Sequence, residues 1–265
     1  MIVTLSVLLL MLWVLQRNTP ADRETAVMRT SAADVQEDPA VHTCNLCGAT
    51  ARFTEFNNRP EATCPNCKSR ERHRLLMHYM RNETRLFHDK LDMLHFSPIG
   101  PEKDILRNAP NLHYVTADYS QGEDLRLDLT SVEQPDASWD VIVAYHVLEH
   151  IVEDQKAIHE MYRILRPGGQ AILQVPLEPG RKTIYEDTAI VSPKERARHF
   201  GGHADHVRLY SAGGFKQRLE AAGFVVEAVD YVARLDPSVV ERHAMRSKAK
   251  KPDIEDIWIA RKPAR

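Results

Sequence analysis

The four cysteines of this 265-residue chain lie close together and form two Cys-x-x-Cys pairs, Cys44/Cys47 and Cys64/Cys67. Two such pairs can present four thiolates tetrahedrally, as structural zinc requires, and they leave no open position for catalysis. The spacing therefore predicts a zinc ribbon over residues 42–69, with rubredoxin-like iron as the alternative. A segment this short has no core of its own, so metal binding would supply its folding free energy.

Basic side chains follow the last cysteine, at Lys68, Arg70, Arg72 and Arg74. They could form a local surface for RNA or another anion. The alternative is a solvated helix face whose arginines pair with Glu71 or with the following domain. The net charge of −2 gives the whole chain no pull toward nucleic acid, so any such contact must be local.

Elements that could position a functional site begin at Lys90, where short apolar runs alternate with helical patterns, as is typical of a parallel α/β sheet. Strands are predicted at Leu91–Phe96, Leu112–Ala117, Trp139–Tyr145, Ala171–Val175, Phe224–Val229 and Ile257–Ala260. Helical periodicity is expected from Glu71 to Leu86 and around Ile158–Leu165, where Pro167-Gly168-Gly169 ends the helix. The polar stretch before Ile257 is predicted to be a loop.

Two central segments point to a known family. The HVLEH sequence His146–His150 follows the strand WDVIVAY, and YRILRPGG then precedes a QVP strand. These motifs resemble the class I S-adenosylmethionine-dependent methyltransferases of the methyltransferase-11 type, over about residues 90–262. The ribbon followed by SRERHRLL, LHFSP and DHVRLY is also similar to a family of ribbon-containing bacterial methyltransferases. The resemblance implies an α/β fold, with a Rossmann-like seven-stranded methyltransferase sheet preceded by a small zinc ribbon.

Candidate cofactor-binding residues follow the strands, because ligands of doubly wound sheets bind at the carboxyl ends of the strands. The loop Ser97, Pro98, Ile99 and Gly100 follows the first strand, although it has one glycine where this class usually has several. Asp118 ends the second strand and could accept hydrogen bonds from ribose hydroxyls. By the resemblance, Asp128 and Leu129 would contact adenine. By position, Tyr145 and His146 would line the S-adenosylmethionine pocket.

Methyl transfer needs alignment and sometimes a base, and histidine can accept a proton near neutral pH. The catalytic candidates are His206 and His150, with His203 nearby in sequence and Asp205 as an orienting carboxylate. Arg208 and Tyr210 could instead bind an anionic acceptor. Neither a DPPY/NPPY signature nor a catalytic cysteine is present. We therefore expect an oxygen or nitrogen acceptor on a small molecule or saccharide.

The N-terminus is hydrophobic, and Ile2–Leu15 carries no charge. As a helix this run would span about 21 Å, which is short of a hydrocarbon core of about 30 Å. Residues 1–16 are interpreted as a leader or short membrane anchor, and residues 17–41 as a flexible linker. The arginines that follow would keep the protein on the cytoplasmic side. A misassigned start is the alternative.

Residues 42–69, 70–89 and 90–265 are accordingly predicted to be the ribbon, a connecting helix and the methyltransferase domain. Three other functions compete with a small-molecule or saccharide methyltransferase. An RNA methyltransferase could use the ribbon for RNA contact. A non-catalytic ribbon adaptor could carry a degenerate cofactor fold, given the glycine-poor loop. A nicotinamide dehydrogenase is disfavoured, because the last two predicted strands fit a closing antiparallel pair.

Overall fold

The computed structural model describes residues 41–120, 122–180, 182–248 and 256–264. The ribbon, here residues 42–69, consists of two short hairpins. Its strands are β1 (Val41–Thr43), β2 (Thr50–Arg52), β3 (Thr54–Phe56) and β4 (Arg59–Thr63). The β3–β4 turn places Asn57 and Asn58 at φ values of 49° and 58°. Two consecutive left-handed residues are typical of a tight hairpin turn, and asparagine tolerates this conformation.

Seven strands form the central sheet. They are β5 (Leu91–Phe96), β6 (Leu112–Asp118), β7 (Leu125–Arg126), β8 (Trp139–Tyr145), β9 (Leu165–Gln174), β12 (Val225–Val229) and β13 (Ile257–Arg261), while β10 (Tyr185–Glu186) and β11 (Arg208–Leu209) pair separately. The order in the sheet is β12-β13-β9-β8-β5-β6-β7. Strands β5 to β9 pair in parallel, and β13 is antiparallel to both of its neighbours. The expected seven-stranded α/β fold with a closing antiparallel pair is therefore confirmed.

Helices cover both faces of this sheet. They are α1 (Glu71–Glu83), α2 (Gly100–Arg107), α3 (Asp154–Ile164), α4 (Pro193–His199), α5 (Ala212–Ala221), α6 (Tyr231–Arg234) and α7 (Pro237–Arg242), with a 3₁₀ turn at Leu148–His150. The alternating side chains of β8 divide the core. Ile142 packs with α3 and α5 on one face, whereas Val143 packs with α1, α6 and α7 on the other. Burial on both faces explains why β8 is apolar along its length.

The position of α1 differs from that of a simple connector. Leu75, Leu76 and Met80 are buried against the sheet in the same core as Val143. Residues 40–265 form one compact unit, which includes the ribbon. The ribbon and α1 are thus packed as parts of the same unit as the sheet.

Three element boundaries differ from those predicted. Helix α1 ends at Glu83, and β9 begins at Leu165, before the Pro-Gly-Gly sequence that was expected to separate helix and strand. Gly169 lies inside β9, where an added Cβ would stand 2.8 Å from the carbonyl oxygen of Asp140, so the close approach of β8 requires glycine. The predicted loop before Ile257 contains α6 and α7.

The hydrophobic leader at residues 1–16 and nearly all of the linker at 17–41 lie outside the described residues. Among the residues that are described, no helix is both long and apolar enough to span a bilayer.

Candidate active site and candidate metal centre

The four cysteines of the ribbon converge on one point. The Sγ atoms of Cys44 and Cys67 are 3.6 Å apart, those of Cys47 and Cys64 are 3.8 Å apart, and all four lie within 4.8 Å of one another. Tetrahedral zinc with Zn–S bonds of about 2.3 Å requires sulfur–sulfur distances of about 3.8 Å. The donor set and its spacing therefore fit a closed, structural zinc site.

Equivalent backbone turns position the two cysteine pairs. Gly48 N–H donates to the carbonyl of Cys44, and Lys68 N–H donates to the carbonyl of Cys64. Gly48 and Lys68 both have positive φ values, of 74° and 62°. The hydroxyl of Ser69 lies 3.2 Å from the sulfurs of both Cys44 and Cys67. Each pair is thus held by its own turn, as in a zinc knuckle.

The strand order reverses between β5 and β8, so the carboxyl ends of these strands form the switch point at which ligands bind in such sheets. The residue after each strand, Ser97 and His146, has a left-handed backbone with φ values of 51° and 56°. Ser97 thus adopts a conformation that favours glycine. The glycine-poor first loop turns sharply even though its only glycine, Gly100, begins α2.

Asp118 lies at the carboxyl end of β6, next to this loop. Its Oδ2 accepts a 2.5 Å hydrogen bond from the Ser97 hydroxyl, and its Oδ1 accepts from the backbone and side chain of Ser120. Although partial burial raises the pKa of Asp118, these hydrogen bonds lower it further, to below its ordinary value. The ionised carboxylate keeps unused lone pairs that could accept from ribose hydroxyls.

The other candidate cofactor residues differ in burial and in the hydrogen bonds that they make within the protein. The exposed carboxylate of Asp128 caps a turn by accepting from the backbone and hydroxyl of Thr130, and Leu129 is buried in the core. Tyr145 packs with the α1 side of the core, whereas its neighbour His146 lines the cavity described below. Pro98 is half-buried in the loop after Ser97.

Two buried polar atoms near the end of β5 and β8 have no hydrogen-bond partner among the described residues: the Tyr145 hydroxyl and Glu102 Oε1. Burial raises the pKa of Glu102 to about 8. Unpaired buried polar atoms are costly and are expected where a ligand completes the hydrogen bonding. Together with Asp118 and the left-handed turns at Ser97 and His146, they make this end of the sheet a fit for a polar nucleoside cofactor.

A hydrogen-bonded chain follows His146. Its Nδ1 lies 3.0 Å from Glu149 Oε1 and its Nε2 lies 3.2 Å from Gln174 Oε1. Burial raises the pKa of the Glu149 carboxyl, but the hydrogen bond and charge of His146, together with the charge of His150, bring it below its ordinary value. The second oxygen of Glu149 is buried and has no hydrogen-bond partner among the described residues. Glu149 therefore places a negative charge at the base of the site.

The catalytic candidates of the HVLEH and GGHADH segments do meet. The rings of His150 and His206 lie 4.9 Å apart, and His203 stacks on His206 at 4.0 Å. The Asp205 carboxylate lies 3.4 Å from Nδ1 of His150. Asp205 therefore pairs with His150, which is distant in sequence, and not with its sequence neighbour His206. Burial, offset only in part by Glu149, lowers the pKa of His206 to about 4, so this imidazole is neutral at pH 7.

These side chains line a cavity of about 1110 Å³. One wall comes from the β3–β4 hairpin and the start of α1, and it includes Phe56, Arg59, Arg70 and Arg72. The facing wall comes from the ends of β8 and β9 and from the segment before β11. It contributes His146, Glu149, His150, Gln174, His203, Asp205 and His206. The ribbon is thus part of the candidate acceptor site as well as the candidate metal centre.

Arg208 and Tyr210 do not face this cavity as free anion-binding groups, contrary to that alternative. Arg208 is buried and bonded to Glu186 and to the carbonyls of Leu148, Ile151 and Val152. The Tyr210 hydroxyl donates to Asp154 at 2.5 Å. Both side chains are structural, because they tie β11 to the turn that carries His150.

Sequence reasoning did not select Glu149, Gln174 or the β3–β4 hairpin as site residues. Glu149 lies inside the recognised HVLEH motif, so its carboxylate was an available signal. Gln174 ends β9, and the rule that placed Asp118 and His146 at strand ends would also have found it. Nothing in the hairpin sequence indicated that it would cover the switch point.

Comparisons with known proteins agree with this geometry. A family model described as a methyltransferase domain matches residues 62–229. A curated relative from Mycolicibacterium smegmatis, described as a probable S-adenosylmethionine-dependent methyltransferase, is 28% identical over 175 residues, which cover 58% of this chain and 62% of that protein. A relative of the same description from Mycobacterium tuberculosis is 28% identical over 153 residues, covering 52% of this chain and 50% of that protein. The chain thus spans between half and two thirds of the length of these relatives.

A solved S-adenosylmethionine-dependent methyltransferase from Mesorhizobium loti shares the fold, with a TM-score of 0.51 at 17% identity. The likeness covers 71% of this chain and 97% of that one. Since the family model alone matches more than half of the chain, the resemblance first drawn from the HVLEH and LRPGG segments is confirmed, and the chain belongs to the methyltransferase domain family.

Proposed function

We propose that the protein transfers a methyl group from S-adenosylmethionine to an oxygen or nitrogen of a small molecule or saccharide. Membership of the methyltransferase family supports this cofactor. The observation that carries the proposal is the cavity that extends from His146 and Gln174, at the carboxyl ends of β8 and β9, to a cluster of imidazoles. Its 1110 Å³ can enclose a drug-sized or saccharide-sized molecule.

When bound, S-adenosylmethionine would supply an electrophilic sulfonium methyl group, and transfer to the acceptor oxygen or nitrogen would leave the S–C electron pair on sulfur as a neutral thioether. The acceptor loses a proton. The chain must therefore align the acceptor and accept that proton.

His206 and His150 are suited to take the proton. His206 is neutral at pH 7, and neither of its ring nitrogens has a hydrogen-bond partner among the described residues, so one can accept from the acceptor. His150 is held by Asp205 at 3.4 Å, and an imidazolium formed there would lie beside that carboxylate and Glu149. The cluster can thus receive a proton and stabilise the resulting positive charge.

The residues that would hold the cofactor are Asp118 for the ribose hydroxyls, the Ser97–Gly100 loop and His146. Asp128 and Leu129 remain the proposed adenine contacts. Each belongs to the loops that follow β5, β6, β7 and β8, so they lie on the same edge of the sheet. The acceptor wall is separate, because it comes from the ribbon and from the segment before β11.

We also propose that the four cysteines bind zinc, with a structural role. The pairs Cys44/Cys67 and Cys47/Cys64 join the two hairpins of the ribbon across the metal position. Because the β3–β4 hairpin lines the cavity, the metal would shape the acceptor site without taking part in the chemistry.

Calorimetry with S-adenosylmethionine tests the cofactor. We expect micromolar binding that Asp118→Ala weakens at least tenfold, while Asp104→Ala, an exposed carboxylate on α2, leaves it unchanged. No binding at millimolar concentration would remove the enzyme proposal and favour a non-catalytic adaptor.

The acceptor class is tested by transfer of labelled methyl groups into cell extracts. Label in small molecules or saccharides, absent with Asp118→Ala, supports the proposal. Label that disappears after ribonuclease treatment would instead identify an RNA methyltransferase.

A further inference from the structure

Three arginines line the ribbon side of the acceptor cavity: Arg59 of β4, Arg70 at the N-cap of α1 and Arg72 in its first turn. Arg70 stacks over the ring of Phe56 at 3.7 Å, and Arg59 lies 5.5 Å from the centroid of the same ring. Stacking fixes the plane of the Arg70 guanidinium while leaving its N–H groups available. The ribbon side of the cavity, which also includes Glu55 and Glu71, therefore carries three guanidinium groups, and stacking on Phe56 orients that of Arg70.

Arg72 differs from Arg59 and Arg70 because it does not lie over an aromatic ring within the described residues. Its side chain is half-buried, and within the described residues its guanidinium has neither a hydrogen bond nor an ion pair. Arg74, two residues later, shows what a satisfied buried arginine looks like here, because its nitrogens donate to four backbone carbonyls. A partly desolvated cation without a hydrogen-bond or ion-pair partner is unfavourable, so the position of Arg72 favours binding of an anion.

The surrounding charges point the same way. Burial, followed by repulsion from Arg70 and Arg59, lowers the pKa of Arg72 to about 10, while the attraction of Glu71 and Glu149 offsets only part of this. Glu71 lies 3.6 Å from Arg59, which accounts for one of the three cations. Within the described part of the chain, Arg70 and Arg72 thus remain two neighbouring cations without an ion pair to a carboxylate.

We propose that Arg70 and Arg72, assisted by Arg59, bind an anionic group of the methyl acceptor, either a carboxylate or a phosphate. The inference rests on the proposed methyltransferase function and specifies its substrate class as an acidic small molecule or acidic saccharide. Planar guanidinium groups match both kinds of oxyanion with paired N–H donors. The acceptor would span the cavity, with its anionic group on the ribbon wall and its methylated atom at the histidine cluster.

This arrangement gives the ribbon a function beyond metal binding. Arg59 and the Phe56 ring that orients Arg70 both belong to the β3–β4 hairpin, which the metal site holds in place. The ribbon would therefore act as the part of the enzyme that selects the charge of the acceptor.

Anion binding can be tested before the acceptor is known, using inorganic phosphate and acetate as probes against chloride at equal ionic strength. At about ten times its Kd, a bound probe should raise the melting temperature by about 2–4 °C. We expect Arg72→Gln to abolish this rise without lowering the melting temperature of the free protein, since it removes a repelled cation. Arg246→Gln, which changes an exposed arginine, should behave as the wild type.

An equal rise in Arg72→Gln, or none in the wild type with either probe, would overturn the proposal. A response to phosphate alone or to acetate alone supports it and identifies which oxyanion binds. S-adenosylmethionine calorimetry on the same proteins separates the two proposals. If the wild-type protein shows no anion effect but binds the cofactor, only this inference fails, whereas absent cofactor binding counts against the enzyme.

The acceptor itself supplies the second test. In an extract fractionated on an anion-exchange resin, the methyl-accepting activity should be retained by the resin. Arg72→Gln should raise the apparent KM for that fraction at least tenfold with a smaller change in kcat. The KM of Arg72→Lys should lie between those of the wild type and Arg72→Gln. If phosphatase treatment removes the methyl-accepting activity, the anionic group is a phosphate. If the activity resists phosphatase, the group is a carboxylate. An unretained acceptor, or one destroyed by ribonuclease, would contradict an acidic small molecule or saccharide.

Discussion

The guanidinium of Arg74 joins the ribbon to a segment near the other end of the chain. Its Nε donates to the carbonyl of His243 at 2.7 Å, across a sequence separation of 169 residues. The other nitrogens donate to the carbonyls of Ser69 and Ala62 in the ribbon and of Ala244 beside His243. Arg74 has no exposed surface. It is therefore a central link between the four-cysteine ribbon and the segment that follows α7.

Replacing Arg74 should cost more stability than replacing any exposed arginine. Arg74→Gln would leave several buried carbonyls without a donor, and we expect a loss of about 3 kcal/mol or more in the free energy of unfolding. Urea unfolding measures it. Arg85→Gln, which breaks an exposed pair with Asp89, should leave the free energy of unfolding nearly unchanged, because exposed ion pairs contribute little to stability. Equal losses in the two variants would show that Arg74 does not hold the ribbon in place.

Removal of the metal should affect the acceptor site more than the cofactor site. We expect one zinc ion per chain by elemental analysis, and a lower melting temperature after chelation or in Cys44→Ser, because metal binding contributes folding free energy. Binding of S-adenosylmethionine should persist, since the strand-end residues of the sheet lie outside the ribbon, whereas methyl transfer should fall and return when zinc is restored. Iron in the purified protein, or full transfer activity without metal, would contradict this account.

Asp154 should be a second point of high sensitivity. It is 2% exposed, and it accepts hydrogen bonds from Tyr210 and Arg218 and lies 3.5 Å from Arg208. Asp154→Ala would remove the more buried of the two carboxylates that pair with Arg208 and Arg218, leaving Glu186, and should cost about 3–5 kcal/mol. Chemical denaturation provides the measurement. Glu153→Ala, at the exposed neighbouring position, is the matched control and should cost less than about 1 kcal/mol. A small loss in Asp154→Ala would mean that Glu186 and solvent compensate both arginines.

The parts of this structure that could be predicted from the sequence depend on short-range patterns. Each Cys-x-x-Cys spacing corresponds to one local turn, at Gly48 or Lys68. The strands β5 and β8 could be predicted because each is a run of mostly apolar residues. Strand ends then placed Asp118 and His146 at the switch point, because parallel strands share one carboxyl edge.

Features that could not be predicted depend on contacts between distant segments. Arg72 and Arg74 are two identical residues on one helix, but positions two apart point in different directions. Packing of the segment around His243 gives Arg74 its structural hydrogen bonds, whereas Arg72 faces the cavity. Asp205 likewise lies next to His206 in sequence but faces His150, because the segment before β11 passes over the turn that carries His150.

The low pKa of His206 should make the stability of the protein depend on pH in a defined window. Above its ordinary pKa of 6.5 the imidazole is neutral in both the folded and the unfolded states, so it contributes no slope. Between 6.5 and about 4 the unfolded chain binds the proton while the folded protein does not, so the free energy of unfolding falls as the pH falls. Glu149 and Asp205 favour protonation in the folded state, whereas burial, His203 and His150 oppose it.

His206→Gln should therefore give a shallower decline in the free energy of unfolding between pH 6.5 and about 4, measured by urea unfolding at successive pH values. Buried His95, whose pKa burial lowers to about 3, adds a decline of the same sign in both proteins, so the difference between them isolates His206. His159→Gln, on the exposed face of α3, should leave the slope unchanged. If His206→Gln kept the full slope, His206 would take up its proton in the folded protein over the same pH range as in the unfolded chain, and burial would not be lowering its pKa.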